Sequence, residues 1–198
     1  MENMIMKKIC GSKTKGLPIL VMLVGESGSG KTTFIKMMNC NGNWFESSRA
    51  MVRDLTKRGE PVTHETIHSF ANKAYKENPY WQVSNILETL NEKKFLLFDG
   101  PRRIEEVKAI IANHARILVV RIAICSKELR FNRLQKRDEI SQEDFHRLLI
   151  HESGETELTQ IISLADFTIF NNGSLKDLQK QVAIFKEALL SVDNFLFV

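Results

Sequence analysis

The sequence predicts an α/β fold in three layers, a parallel sheet with helices on both faces, from three observations. An apolar run at 17–24 leads directly into Gly25-Glu26-Ser27-Gly28-Ser29-Gly30-Lys31-Thr32. A second apolar run, Phe95-Leu96-Leu97-Phe98, ends in Asp99-Gly100. Strand signals then alternate with helical ones to the end of the chain, the pattern of a parallel sheet covered on both sides.

The first run has no alternation of polar and apolar residues, so it suits a strand buried on both faces. The motif behind it reads G-x-x-x-x-G-K-T, a phosphate loop. Glycines let backbone N–H groups wrap closely around a polyphosphate, and the helix behind them adds its N-terminal dipole. Gly25 through Thr33 are therefore the expected nucleotide-binding residues. Lys31 reaches the β- and γ-phosphates, and the Thr32 hydroxyl is an expected Mg²⁺ ligand. Asp99, at the end of the second run, places a carboxylate at the carboxyl end of a neighbouring strand, where it can hold the water shell of the same Mg²⁺.

The remaining elements follow in order. Residues 1–16 read as a loose arm or a short edge strand. A helix runs to about Asn39, and Asn41-Gly42-Asn43 marks a turn before a short second strand at Trp44-Phe45. Ser47 or Ser48 is positioned to cap a helix to about Lys57, stopped by Gly59 and Pro61. Thr63 opens a helix with an apolar stripe at Ile67, Phe70, Ala71 and Ala74, broken at Asn78-Pro79, and another spans roughly 81–92. With no strand signal between them, residues of about 47–92 read as a helical insertion folded over one end of the sheet. Helix 104–113, strand 117–124 and helix 127–138 come next. Ser141 caps a helix through His151, Asp166–Phe170 is the last strand, and a helix with Leu175, Leu178, Val182, Phe185 and Leu189 on one face closes the chain.

At 198 residues the chain is one domain with enough length for a full core. A net charge of +4 is mild, and suits an anionic small molecule as well as a nucleic acid. Cys10, Cys40 and Cys125 are odd in number and widely spaced, which gives neither a disulfide framework nor a metal pattern. No signal segment and no run of about 20 apolar residues is present, so a cytoplasmic protein with no membrane partner is expected. His64-Glu65-Thr66-Ile67-His68 matches H-E-x-x-H. Its histidines flank an apolar stripe and no third ligand stands out, so packed histidines are the better reading. Trp44 and Tyr80-Trp81 can stack on a base, though packing between helices is the simpler role.

The arginines are more informative. Arg102 and Arg103 follow Asp99, and Arg53 lies on the helix after the second strand. Arg130, Arg133 and Arg137 fall at i, i+3 and i+7, on one helical face opposite Phe131 and Leu134. Strand carboxyl ends meet at the ligand crevice of such a sheet. Phosphoryl transfer asks for alignment and for cations where negative charge spreads, which the planar guanidinium supplies.

In these segments the chain resembles the nucleoside monophosphate kinase group of P-loop proteins, most nearly the archaeal nucleotide-kinase-like and dephospho-CoA-kinase-like proteins. The resemblance runs from about Leu20 to Phe185. It is carried by Gly25–Thr32, by Arg53 with Asp54-Leu55-Thr56-Lys57-Arg58-Gly59, by Phe98–Arg103, by Arg130–Arg137, and by Ala165–Leu175. It implies an ATP- and Mg²⁺-dependent kinase, monomeric or homodimeric, with a nucleotide donor, a small phosphorylated acceptor and no nucleic-acid partner. Lys31, Arg133 and Arg137 would act in catalysis, the last two from a short lid at about 127–153. Arg53 and Arg102 or Arg103 would hold the acceptor phosphate. Such kinases commonly carry an Asp shortly before the acceptor-helix Arg, where this chain has Ala50; Glu46 is the nearest acidic substitute. A nucleoside monophosphate is the first expected acceptor and dephospho-CoA the second. A nucleotide switch or ATPase without transfer is the alternative of another class.

Overall fold

The computed structural model describes residues 17–40, 42–101, 103–114, 116–154 and 156–193. The expected N-terminal arm with Cys10, Arg102, and the apolar tail after residue 193 lie outside the described residues, as do the side chains of His64 and His68.

Five strands form one parallel sheet: β1 (Ile19–Val24), β2 (Trp44–Glu46), β3 (Phe95–Asp99), β4 (Ile117–Ala123) and β5 (Phe167–Phe170), in the spatial order β2-β3-β1-β4-β5. All six residues of β1 are buried. Side chains alternate across a strand, so the odd and even residues of β1 enter different cores. Ile19, Val21 and Leu23 meet Phe34, Ile35 and Met38 of α1 (Lys31–Met38), and Leu178, Val182, Phe185 and Leu189 of α9 (Leu175–Asp193). Leu20, Met22 and Val24 meet α4 (Trp81–Asn91), α5 (Ile104–Asn113) and α8 (Thr156–Ser163), through residues such as Ile86, Val107 and Ile161. The apolar composition of the central strand is thus explained by cover on both faces, and the three layers are as expected.

The segment expected as an insertion contains α2 (Ser47–Lys57), α3 (His64–Glu77) and α4. Its first two helices share a satellite core of Met51, Leu55, Phe70, Ala74 and Tyr75. Trp81 sits edge-on to Phe70 and Tyr75, at 5.6 and 6.3 Å between ring centres, which makes it a packing residue. Its third helix departs from the expectation. Val83, Ile86 and Leu90 of α4 pack beneath the sheet, so α4 belongs to the second helical layer. Thr63 caps α3 reciprocally with Thr66. Helix α2 begins at Ser47, one residue earlier than a cap at that serine would allow, and Glu46 stands at the cap position without a side-chain bond.

After β4 come α6 (Lys127–Asp138), capped by Ser126, and α7 (Gln142–Gly154), where Ser141 caps through the Asp144 N–H at 3.0 Å. Phe131, Leu134 and Phe145 join these two helices in a small core. Helix α8 was not foreseen from the sequence; Ile161 and Leu158 draw it onto α5. Among the described residues no helix is long and apolar enough to cross a membrane.

Candidate active site

The chain leaves β1 where the sheet reverses its order of addition, with β3 and β2 on one side and β4 and β5 on the other. That position makes a crevice at the carboxyl ends of the strands, and the phosphate loop fills it. Gly25 has φ +145, and a Cβ there would lie 2.3 Å from the carbonyl oxygen of Ile122. Gly30 has φ +106, and its Cβ would meet Asn171 Nδ2 at 2.2 Å. Only glycine allows both approaches. Lys31 Nζ bridges the loop, donating to the carbonyl oxygens of Gly25 and Glu26 at 2.7 and 3.2 Å. Helix α1 begins immediately behind with no side-chain cap and no acid in its first turn, so its dipole faces the crevice unopposed.

A cavity of about 590 Å³ opens over this loop. Ser27, Gly28, Gly30, Lys31, Thr32 and Thr33 form its floor, Asp99, Gly100 and Glu46 one wall, and Arg133, Leu134 and Arg137 its roof; Lys36 also reaches it. Of the nine residues expected from the motif at 25–33, six line the cavity. The other three build the loop from behind. Gly25 abuts β4, Glu26 pairs with Arg121 at 3.1 Å, and the buried Ser29 gives its carbonyl oxygen to Asn171 Nδ2 at 2.8 Å.

Asp99 and Thr32 line the same cavity, as does Glu46, whose strand register sets it beside Asp99. One hydroxyl and one or two carboxylates at the mouth of an anion cradle are the donor set that a largely hydrated Mg²⁺ requires. These residues fit that ion, and the glycine cradle with its uncapped helix fits a polyphosphate.

The arginines on α6 share a face but not a task. Arg133 directs Nη2 toward Asn171 Oδ1 and the Gly173 carbonyl oxygen, both at 3.4 Å. Its Nη1 is buried at the cavity with no hydrogen-bond partner among the described residues, and burial lowers its pKa. Arg137 rims the cavity and holds Asp138, whose hydrogen bonds raise the arginine's pKa. Arg130 turns away from the cavity and grips Ser27 and Glu152. The expected lid is therefore docked on the phosphate loop, with Leu134 above Gly28.

Of the residues expected to hold the acceptor, Arg53 and Arg103 do not join this cavity. Met51 and Leu55 turn the apolar face of α2 toward α3, and Arg53 lies about 200° from each at 100° per residue. Its side chain is 57% exposed beside Asp54. Arg103 lies over the Tyr75 ring, 4.2 Å from its centre. That contact draws it under α3, where Tyr75 also donates to the buried Glu106 at 3.2 Å. Burial pushes the Glu106 carboxyl up to about 7, opposed by the Tyr75 hydrogen bond and the Arg103 charge.

No protein-family model matches the chain, and no curated protein matches it. Solved structures do. Shikimate kinase from Bacteroides thetaiotaomicron aligns with 86% of this chain and 98% of its own, at TM-score 0.55 and 14% identity. Shikimate kinase from Acinetobacter baumannii, in complex with shikimate, aligns with 91% and 98%, at 0.52 and 18%. Shikimate kinase from Aquifex aeolicus aligns with 87% and 99%, at 0.51 and 17%. The chain has the three-layer P-loop NTPase fold.

Within this P-loop fold several site residues escaped the sequence reading. Asn171, just past the end of β5, fastens Ser29 and faces Arg133. It also lines a smaller cavity of about 200 Å³ with Gly30, Thr33, Arg133, Leu175 and Leu178, which shares Gly30, Thr33 and Arg133 with the first. Lys36 and Trp44 line a third space of about 520 Å³, which shares Thr32, Glu46 and Asp99 with the main cavity. The doublet of asparagines before a glycine was the signal for Asn171. For Lys36 the signal was its place one helical turn after Thr32.

Proposed function

We propose that this protein is an ATP- and Mg²⁺-dependent phosphotransferase that moves the γ-phosphoryl group to a hydroxyl of a small acceptor. The observation that carries the reading is the meeting of Lys31, Thr32, Asp99 and Glu46 in one cavity floored by the phosphate loop. The triphosphate lies along the loop N–H groups and α1. The nucleoside extends into the smaller cavity at Thr33, Asn171 and Leu175, where an amide side chain and two leucines suit a flat ring with polar edges. Lys31 neutralises the β- and γ-oxygens, and Arg133 and Arg137 stabilise charge on the transferring group from the roof. Thr32 and Asp99 would hold the Mg²⁺, which would supply positive charge to offset that of the phosphates.

Glu46 is the acceptor-side carboxylate. It accepts the proton of the acceptor hydroxyl as that oxygen attacks phosphorus and ADP leaves with the β–γ bridging oxygen. The space beside it, with Lys36 and Trp44, suits a compact anion carrying a ring or short apolar body. A cyclic hydroxy acid fits this description, and the solved neighbours include a kinase bound to shikimate. A ribose hydroxyl, as on dephospho-CoA, is the same chemistry. A nucleoside monophosphate is the second reading, favoured by the local sequence around Arg53 and by Arg102-Arg103 after Asp99.

Coupled ADP release over shikimate, nucleoside monophosphates, dephospho-CoA and simple sugars tests the proposal. Turnover well above ATP hydrolysis with one of them supports a kinase; hydrolysis indifferent to every acceptor supports a switch or ATPase. Lys31→Ala should abolish turnover in either case with the fold retained, and rates within a few-fold of wild type would remove the phosphate loop from the chemistry.

A further inference from the structure

The phosphate loop is held by an ion pair that lies outside the cavity. Arg130 is 6% exposed; its Nε donates to the Ser27 carbonyl oxygen at 2.5 Å, and its Nη2 donates to Glu152 Oε2. The other carboxylate oxygen, Glu152 Oε1, accepts the Ser27 N–H at 2.9 Å. Both main-chain groups of Ser27 are thereby fixed by one closed circuit of charge-assisted hydrogen bonds. The guanidinium also stands 5.6 Å over the ring of Phe145, and the pair's side chains are 8% and 10% exposed. A pair so enclosed is fully committed: removing either charge leaves the other buried and uncompensated.

Neither Arg130 nor Glu152 lines the cavity, but Ser27 does. A loop with glycines at 25, 28 and 30 has many conformations to lose when it closes on an anion. Setting Ser27 in advance removes part of that loss before any ligand arrives. We propose that Glu152 is a positioning residue of the nucleotide site. Through Arg130 and the Ser27 N–H it presets the curvature of the phosphate loop and ties α7 to it. This rests on the reading of that loop as a nucleotide site. The rival role is that of an internal anion which occupies a loop N–H and a guanidinium, and which phosphate must expel.

Hydrogen exchange at residues 25–33 of ligand-free protein, together with calorimetric titration by ADP and by ATP with Mg²⁺, separates these. Glu152→Ala is expected to speed exchange across the loop and to weaken both nucleotides about tenfold. Glu152→Gln keeps one acceptor oxygen and should fall between wild type and the alanine variant. If alanine prevents folding, the glutamine variant alone decides, by weaker binding with faster loop exchange. Unchanged affinity, or tighter binding in either variant, overturns the proposal, the latter in favour of the competing anion. Wild-type protein that binds neither nucleotide would instead overturn the reading of the site itself.

Discussion

Glu46 and Asp99 are register partners at the carboxyl ends of adjacent parallel strands, and both side chains face the phosphate-loop cavity. Two carboxylates thus stand side by side in a space whose other charged lining residues are Lys31, Lys36, Arg133 and Arg137, and the proposed phosphoryl transfer gives each a separate task. In the proposed reaction Asp99, with Thr32, would hold the metal ion and Glu46 would receive the acceptor's proton; both carboxylates also line the neighbouring space with Trp44.

Glu46→Gln should therefore lower kcat by at least about 100-fold while leaving the ATP dissociation constant within about threefold, since it removes a base and no phosphate contact. Steady-state kinetics with an active acceptor, beside calorimetry, checks the split. A rise in ATP dissociation constant matching the loss of rate would move Glu46 to the metal side.

Arg53→Ala should change neither ATP affinity nor acceptor KM by more than about threefold, because an exposed side chain beside Asp54 has little to lose. Arg133→Ala, which removes a half-buried side chain at the roof, should reduce kcat/KM by about 100-fold or more. Kinetics of the two variants compared side by side tests this. A larger effect at Arg53 would restore the acceptor-phosphate role that its surrounding sequence suggests.

The phosphate loop, the carboxylate after the second apolar run and all five strands were legible in the sequence, because each is a local pattern. Glycine spacing, apolar runs and turn residues act within ten residues of one another. The acceptor end was not legible. Whether Arg53 reaches the crevice depends on which face of α2 is buried, and Met51 and Leu55 find partners only on another helix. The three α6 arginines share a face by spacing, yet Arg130 is captured by Glu152, 22 residues on, and Arg133 faces Asn171, 38 residues on. Asn171 itself reaches Ser29 across 142 residues. No periodicity carries contacts of that range.

Gly30→Ala should destabilise the fold by about 1–3 kcal/mol, from the left-handed backbone and from the contact with Asn171. Adding Asn171→Ala should not restore wild-type stability, because the backbone penalty remains and the bond to Ser29 is lost. Urea unfolding of the single and double variants measures both effects.

Glu106 gives a pH dependence of stability with a definite sign. Its folded pKa, about 7, lies above the ordinary value of 4.5, so the folded state holds the proton more tightly than the unfolded chain. The stabilising contribution of the protonated carboxyl is complete below about 4.5 and disappears as pH rises through about 7. Relative to Glu106→Gln, wild type should lose on the order of 2 kcal/mol between pH 4.5 and 8. Denaturant midpoints of both proteins across that range check it; parallel curves would mean that the Glu106 carboxyl titrates alike in the folded and unfolded protein.

The most direct measurement follows the terminal phosphate of γ-labelled ATP during turnover with the acceptor panel. The account predicts that label accumulates in a phosphate ester of one acceptor, dependent on Mg²⁺ and on Lys31, with little inorganic phosphate. Label appearing as inorganic phosphate alone, at a rate no acceptor changes, would contradict it.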